Sequence, residues 1–244
     1  MYKIIYLFLL VALVTSCEQN NDSPFLYILD HDAQIVETDV EVALSGNLVF
    51  TPIVHASQMI VNWGDGSRVT EFVNRDSAVV DAPPLRPLRY TFASTGNYTV
   101  NFRAIRITRL DISMDSVGQP INQLRLTNCR HLKEFSSVGQ VLKSVNITTS
   151  GLKNVNFSNL PAMENFTISQ CDSLSRITLD NNAILNAISL SNNPLLSATA
   201  LNAMFQQLPP AKSDTRTITL SNNAGDATCD KAIATRKGWT VNVE

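Results

Sequence analysis

A short apolar pattern repeats along the second half of the chain and constrains its fold more than any other feature. One apolar residue is followed after three positions by a second and, two positions later, by a third, in seven of eight copies between residues 107 and 190. In the third and weakest copy the last step is three positions, and from that copy onward successive copies begin 10 or 11 residues apart. Apolar clusters that arise by chance do not hold such a phase. The copies are Ile107/Leu110/Ile112, Ile121/Leu124/Leu126, Leu132/Phe135/Val138, Leu142/Val145/Ile147, Leu152/Val155/Phe157, Met163/Phe166/Ile168, Leu174/Ile177/Leu179 and Leu185/Ile188/Leu190.

Two copies together predict one flattened coil of about 21 residues with a strand on each long side. Five positions after the middle residue of alternate copies stand Cys129, Ser150, Cys171 and Asn193. We expect a buried side chain at this place to bond the turning backbone. One predicted sheet stacks Leu124, Val145, Phe166, Ile188 and Ile218, and the opposite sheet stacks Phe135, Val155 and Ile177.

The coils and the tail together resemble leucine-rich-repeat lipoproteins of gut and oral Bacteroidetes. The tail predicts a helix over Thr199–Leu208, a strand over Arg216–Leu220, a helix over Thr228–Arg236 and a last strand over Trp239–Val243. Pro209-Pro210 end the first helix and Gly238 caps the second. The resemblance implies a leucine-rich-repeat β-solenoid over residues 105–196 and a partly helical C-terminal cap over 197–244. The predicted coil departs from the family in having strands on both sides, since most leucine-rich repeats have a helix or loop on the second side.

The residues between the inward apolar ones point outward from the first sheet and are small, hydroxyl-rich and almost uncharged. They include no aromatic side chain on which a sugar ring could stack. Two interpretations stay open: a face that binds a flat protein surface by hydrogen bonds, or a solvated sheet with high β-propensity. The candidate interaction residues are Gln123, Arg125, Asn146, Thr148, Asn165, Thr167, Ser189 and Ser191.

Residues 24–104 carry short alternating runs that predict an antiparallel β-sandwich. The predicted strands are Phe25–Leu29, Gln34–Thr38, Leu48–Pro52, Met59–Trp63, Val69–Val73, Ala78–Val80, Tyr90–Phe92 and Tyr98–Ala104. Trp63-Gly64-Asp65-Gly66-Ser67 and the hairpin from Tyr90 to Val100 resemble the polycystic-kidney-disease (PKD) domain, an immunoglobulin-like sandwich. Here Trp63 directly precedes Gly64, which departs from the usual family spacing.

Two side chains of this segment allow both a structural and a functional interpretation, and a third has a structural role alone. Trp63 is expected in the core, with a ligand platform as the alternative. Asp65 is expected to bond its own turn backbone, with an ion ligand as the alternative. Tyr98 is expected to make the structural hydrogen bond of a tyrosine corner.

The first residues predict export and lipidation. An apolar run of 11 residues, Ile4–Val14, follows Lys3 and is too short for a membrane span, which needs about 20. Val14-Thr15-Ser16-Cys17 then resembles the lipobox of bacterial lipoproteins. That resemblance implies a signal peptide over residues 1–16, a lipid on Cys17 that anchors the chain in the outer membrane, and a polar tether over 17–23. Glu18 and Asp22 resemble the acidic stretch that sends Bacteroidetes lipoproteins to the cell exterior, which implies exposure at the cell surface.

Nothing in the sequence predicts catalysis or metal binding. The chain lacks zinc-protease, nucleophile-elbow and phosphate-loop motifs, and its cysteines lack metal-ligand spacing. We therefore expect no enzyme, no cofactor and no metal. With Cys17 lipidated, Cys129, Cys171 and Cys229 cannot all pair, and stacked coils place Cys129 and Cys171 beyond disulfide reach. Buried free thiols are expected.

The function expected is a non-enzymatic surface lipoprotein that binds an unknown protein, as an adhesin or partner module. Its net charge of −2 offers no footprint for nucleic acid. The alternatives are a periplasm-facing accessory subunit of an outer-membrane complex and, less favoured, a glycan-binding or glycan-processing protein. Asp76-Ser77, Asp115-Ser116 and Asp172-Ser173 resemble Bacteroidetes O-glycosylation sites.

Overall fold

A computed structural model describes residues 34–42, 48–50, 53–56, 58–73, 89–112, 121–137, 142–211 and 216–244. Several predictions lie outside these residues: the leader, Cys17 and the tether, the strands Phe25–Leu29 and Ala78–Val80, the inward Val138, and the motifs at Asp76 and Asp115. All described residues belong to one compact unit that spans Ala33–Glu244.

The protein is mostly β, as the sequence predicted. The strands are β1 Gln34–Val42, β2 Leu48–Phe50, β3 Ile53–His55, β4 Gln58–Asn62, β5 Thr70–Val73, β6 Tyr90–Phe92, β7 Gly96–Ile105, β8 Arg109–Asp111, β9 Ile121–Thr127, β10 Glu134–Ser136, β11 Ser144–Thr148, β12 Asn154–Phe157, β13 Asn165–Ser169, β14 Arg176–Leu179, β15 Ala187–Ser191, β16 Thr217–Ser221 and β17 Thr240–Val243. The helices are α1 Ala198–Gln207 and α2 Ala232–Thr235. In the described part of the chain, no helix has both the length and the apolar character needed to cross a membrane.

Ten strands form one sheet in the order β17-β16-β15-β13-β11-β9-β1-β7-β4-β5. Its first six strands are parallel and pair without a register shift from one to the next. The predicted stack is confirmed, because Leu124, Val145, Phe166, Ile188 and Ile218 are successive register partners. The last strand, β17, also extends this sheet, which the sequence did not predict.

Strand β1 separates β7 from β9 and pairs antiparallel with both. Its pairing with β9 shifts register between Asp39 and Val40, opposite the start of β9. The sheet therefore runs without a break across the predicted boundary at residue 104, and the boundary itself stays a prediction.

On the second side of the coils, one predicted feature is wrong. The sequence predicted a continuous sheet through Phe135, Val155 and Ile177. Instead, β10 pairs with β8 in a three-stranded sheet that ends with β3, and β12 pairs with β14 in a separate two-stranded sheet. β10 packs next to β12 without forming a ladder. Val155 and Ile177 remain register partners.

A single apolar core joins the two halves of the compact unit. It runs from Val54 and Trp63 through the repeat positions to Trp239. Every described residue of the eight apolar copies is buried except Phe135, which is half-buried and packs against the same core. At about 25 cal/mol per Å² of buried apolar surface, this stacked core is the main stabilising contribution to the fold.

Helix α1 takes the place of a strand on the second side and packs against β14. Ser197 caps its start, because the side chain accepts a hydrogen bond from the Ala200 N–H. Carbonyls at its end are bound by the tail: Lys237 Nζ donates to Gln206 O and Leu208 O, and Trp239 Nε1 to Pro209 O. The Lys237 ammonium group also interacts favourably with the negative C-terminal end of the helix dipole.

The second predicted helix is shorter than expected. Thr228–Arg236 was predicted to be helical, but α2 keeps only four residues, Ala232–Thr235. The physical reason is that Asp230 N donates to Asn202 Oδ1 instead of a backbone carbonyl and Asp230 Oδ1 accepts from Ala232 N, so the helical backbone bonds begin only after Asp230.

Candidate interaction face

The outward face of the six parallel strands carries three rows of polar residues, which we call the polar ladder. Each row follows the register of the sheet, so neighbours in a row lie one strand apart, about 4.8 Å. The rows are Gln123, Ser144, Asn165, Ala187, Thr217, Thr240; then Arg125, Asn146, Thr167, Ser189, Thr219, Asn242; then Thr127, Thr148, Ser169, Ser191, Ser221.

All eight residues predicted for the interaction face lie on the polar ladder. Asn146 is exposed, and Gln123, Arg125, Thr148, Asn165, Thr167, Ser189 and Ser191 are half-buried. Half-burial follows from the flat sheet, where each side chain is flanked by those of two neighbouring strands. The only charged residue among the three rows is Arg125.

Hydrogen bonds between ladder side chains fix some of them in place. Arg125 donates to Gln123 Oε1, and Thr148 Oγ1 donates to Asn146 Oδ1 over 3.2 Å. Ser169 Oγ donates to Thr148 Oγ1 over 3.3 Å, across the strand boundary. Within the described residues, no side-chain hydrogen bond involves Thr167 or Ser189 at the centre. Thr167 and Ser189 therefore offer hydroxyl groups for hydrogen bonding to a partner, beside the amides of Gln123 and Asn146, which are already held.

The outward face continues beyond the ladder into the antiparallel strands. Arg125 lies opposite Glu37 of β1, Glu37 opposite Asn101 of β7, and Asn101 opposite Asn62 of β4. This continuity was not predicted from the sequence, in which the two halves form separate domains. At about 4.8 Å per strand, ten strands extend roughly 43 Å, and three rows give an area on the order of 800 Å².

At the C-terminal ends of the ladder strands, five consecutive turns hold the strand ends at a constant spacing. The residue after each strand has a left-handed backbone, with φ between 55° and 57°. These residues are Asn128, Thr149, Gln170, Asn192 and Asn222. The first four donate their N–H to the last residue of the next strand, at 2.8 to 3.0 Å. The turns therefore extend the sheet register past its strands and keep the ladder rows straight.

A buried amide network fastens the later turns. Asn193 Oδ1 accepts from Cys171 N at 3.1 Å, and Asn193 Nδ2 donates to Ile168 O at 3.2 Å. Asn223 Oδ1 accepts from Asn193 Nδ2 at 2.8 Å, and Asp226 accepts from both nitrogens of Asn223. The roles of Asn223 and Asp226 were not predicted from the sequence. The repeat of Ser-Asn-Asn at 191–193 and 221–223 is the signal that would have found Asn223.

The cysteines at these turns are buried free thiols, as predicted. Removal from water raises the pKa of the Cys129 thiol to about 12 and that of Cys171 to about 11. The two thiols donate to carbonyls of their own turns, Thr127 O at 3.5 Å and Ser169 O at 3.3 Å. Burial also raises the pKa of Cys229, which lies in the tail. Cys129 and Cys171 occupy the turn position that Ser150 and Asn193 occupy in other coils.

Thiol labelling tests this assignment. In a Cys17→Ser background, the folded protein at pH 8 should react with Ellman's reagent far more slowly than a free thiol, because the thiolate is the reactive form and is suppressed. All three thiols should react rapidly in denaturant. Cys229, the most exposed of the three at 9%, should react first. Rapid labelling of Cys129 in the folded protein would contradict the assignment.

The Gly-Asp-Gly turn of the first half is held by contacts with its own backbone and with Tyr90. Trp63 is buried and stacks on Tyr90 with ring centroids 4.2 Å apart. Tyr90 donates its hydroxyl hydrogen to Asp65 Oδ2 at 2.5 Å, and Ser67 N donates to Asp65 Oδ1. Burial alone would raise the pKa of Asp65, but these hydrogen bonds outweigh it and lower the pKa.

The remaining predicted residues of this half are also found in structural roles. The predicted hydrogen bond of Tyr98 is present, since its hydroxyl donates to Ser94 O at 3.1 Å. Among the described residues, no group of three His, Cys, Asp or Glu side chains could hold a metal ion. The one described glycosylation motif places Ser173 half-buried in a turn after the exposed Asp172.

Comparisons with known proteins identify no relative of this chain. No family model, curated protein or solved structure matches it. Its own surfaces are therefore the basis for assigning a function.

Proposed function

We propose that this protein is a non-enzymatic lipoprotein of the cell envelope that uses its outward sheet face to bind another protein. Lipid on Cys17 would anchor it in the outer membrane. Residues 24–104 would form a PKD-like sandwich, and residues 105–244 a leucine-rich-repeat β-solenoid with its cap. The stacked apolar repeat and the five consecutive left-handed turns support the solenoid. The contacts among Trp63, Asp65 and Tyr90 support the sandwich.

The observation that carries the binding proposal is the continuity of the face. Interfaces of standard size bury about 800 Å² on each partner, which the six parallel strands alone would not supply. The ten-stranded face reaches that area, because β1 joins the two halves. Its ladder part contains one charge, so a partner can cover it without the cost of desolvating many ions.

A photo-crosslinking experiment tests the proposal. A photoreactive phenylalanine at position 167, at the centre of the ladder, should give a discrete heavier adduct in intact cells, which mass spectrometry then identifies. The same residue at position 203, exposed on helix α1 and outside the ladder, is the matched control and should give none. Thr167→Arg should abolish binding of the identified partner while leaving the free energy of unfolding nearly unchanged, within about 0.5 kcal/mol for such a surface position. Equal adducts at both positions, or none at 167, would reject the face.

Protease treatment of intact cells tests the proposed location. Digestion of residues 24–244 is expected if the protein lies at the cell surface. Protection until lysis would favour the accessory subunit facing the periplasm.

A further inference from the structure

A second surface, separate from the polar ladder, carries exposed cations. It consists of the turns that lead from the first sheet to the second side, together with the first residue of each second-side strand. Within residues 106–109, 128–134, 149–154 and 170–176, six residues are cationic and exposed. We call them the basic strip: Arg106, Arg109, Arg130, Lys133, Lys153 and Arg176.

The backbone pairing stacks these segments side by side. Lys133 N donates to Thr108 O at 2.9 Å, and Arg109 is the register partner of Glu134. Gly151 packs on the Arg130 carbonyl and donates its N–H to Cys129 O at 3.1 Å. Ser175 N donates to Lys153 O at 2.9 Å, and Arg176 is the partner of Asn154. The cations therefore follow one another along four coils at intervals of about one strand spacing.

The basic strip is only partly neutralised. Its four segments hold six cations and two anions, Glu134 and Asp172, so 6 − 2 gives a charge of +4 in a chain whose net charge is −2. Arg109 lies 3.6 Å from Glu134, and both side chains are exposed. Within the described residues, no carboxylate forms an ion pair with Lys133, Lys153 or Arg176. The equivalent segment of the next coil, 192–198, has no charge, so the strip has a defined end.

We propose that the basic strip binds a linear anionic polysaccharide, through sulfate or carboxylate groups. A row of flexible, exposed cations matches a chain of repeated negative charges better than a single acidic group. Beside the strip, the exposed Asn154 and Asn156 and the half-buried Ser175 and Thr178 offer hydrogen bonds to sugar hydroxyls.

Two other classes of partner fit the strip less well. A membrane surface also needs apolar side chains to insert. Among the residues that the structure describes, the exposed large apolar ones are Val69, Ile184, Leu195 and Val243, all outside the strip. An acidic peptide is held by apolar anchors or by pairing with a free strand edge. The strip has no exposed apolar anchor. Its strands β10 and β14 each pair on one side, and β10 also packs next to β12 and β14 next to helix α1, so an added strand would have to displace these neighbours.

The test uses purified full-length protein and two probes, heparin for sulfate and polygalacturonate for carboxylate. Binding to at least one is expected at about 50 mM salt and should weaken strongly at about 300 mM, because exposed charges are screened. The variant Lys133→Gln/Lys153→Gln/Arg176→Gln should bind at least about tenfold more weakly.

A matched variant, Arg68→Gln/Lys231→Gln/Arg236→Gln, changes the net charge equally but lies outside the strip, so its affinity should fall less than about twofold. Equal losses in both variants would overturn the proposal, as would failure of the wild type to bind either probe. Preference for polyglutamate or for anionic vesicles would replace the polysaccharide with a peptide or a membrane. The crosslink at position 167 is independent of these outcomes.

Discussion

Asn193→Ala is expected to lower the free energy of unfolding by about 3 kcal/mol, a large fraction of the stability of a typical domain. Asn193 is fully buried, and its side chain joins three coils by accepting from Cys171 N and donating to Ile168 O and Asn223 Oδ1. Alanine removes these bonds and leaves the buried Cys171 N–H without its partner. Such a group costs about 1–3 kcal/mol, to which the loss of the two donated bonds adds.

Urea unfolding followed by circular dichroism measures this loss. Asn186→Ala is the control, since Asn186 is exposed and bonds only through its backbone, and it should change stability by less than about 0.5 kcal/mol. Asn193→Ser should be intermediate, because Ser150 occupies the same position in another coil and accepts from Leu152 N. A loss below about 1 kcal/mol for Asn193→Ala would show that the amide network is not an important contribution.

Gly151→Ala is expected to destabilise the protein by at least about 3 kcal/mol, at the upper end for overpacking. A Cβ on Gly151 would lie 2.1 Å from the Arg130 carbonyl oxygen and 3.2 Å from that of Leu132. Both atoms belong to the backbone of the preceding coil, so no rotamer change can relieve the contact. The two coils would have to move apart, which would break the bond from Gly151 N to Cys129 O.

Gly66→Ala separates this effect from glycine's conformational freedom. Gly66 has φ of +81°, and no atom lies within 4 Å of an added Cβ. Gly66→Ala should therefore lower the free energy of unfolding only by the cost of a left-handed backbone at alanine, about 1 kcal/mol. Thermal or urea unfolding of the two variants compares the cost of the steric contact with the cost of the left-handed backbone. If Gly151→Ala is no worse than Gly66→Ala, the two coils are not closely packed at this turn.

The polar ladder was predictable residue by residue because strand geometry is local. Once Leu124 and Leu126 point inward, Arg125 must point outward, and the repeat places Asn146, Thr167 and Ser189 beside it. The extent of the face was not predictable, because it depends on β1, which is almost 90 residues away from β9 in sequence. No local pattern in Gln34–Val42 indicates which strands pair with β1 on its two sides.

The sequence by itself determined the repeat, the inward stack from Leu124 to Ile218, the outward ladder and the burial of the cysteines. Each follows from a period of two within a strand and about 21 along the chain, since identical positions must meet when coils bury their apolar residues. Only the tertiary structure decided where β1 is inserted, why the second side divides between β10 and β12, and how Asp226 ends the amide network. Those features are contacts between distant segments, and their energy comes from pairing and packing that exist only after the coils have assembled.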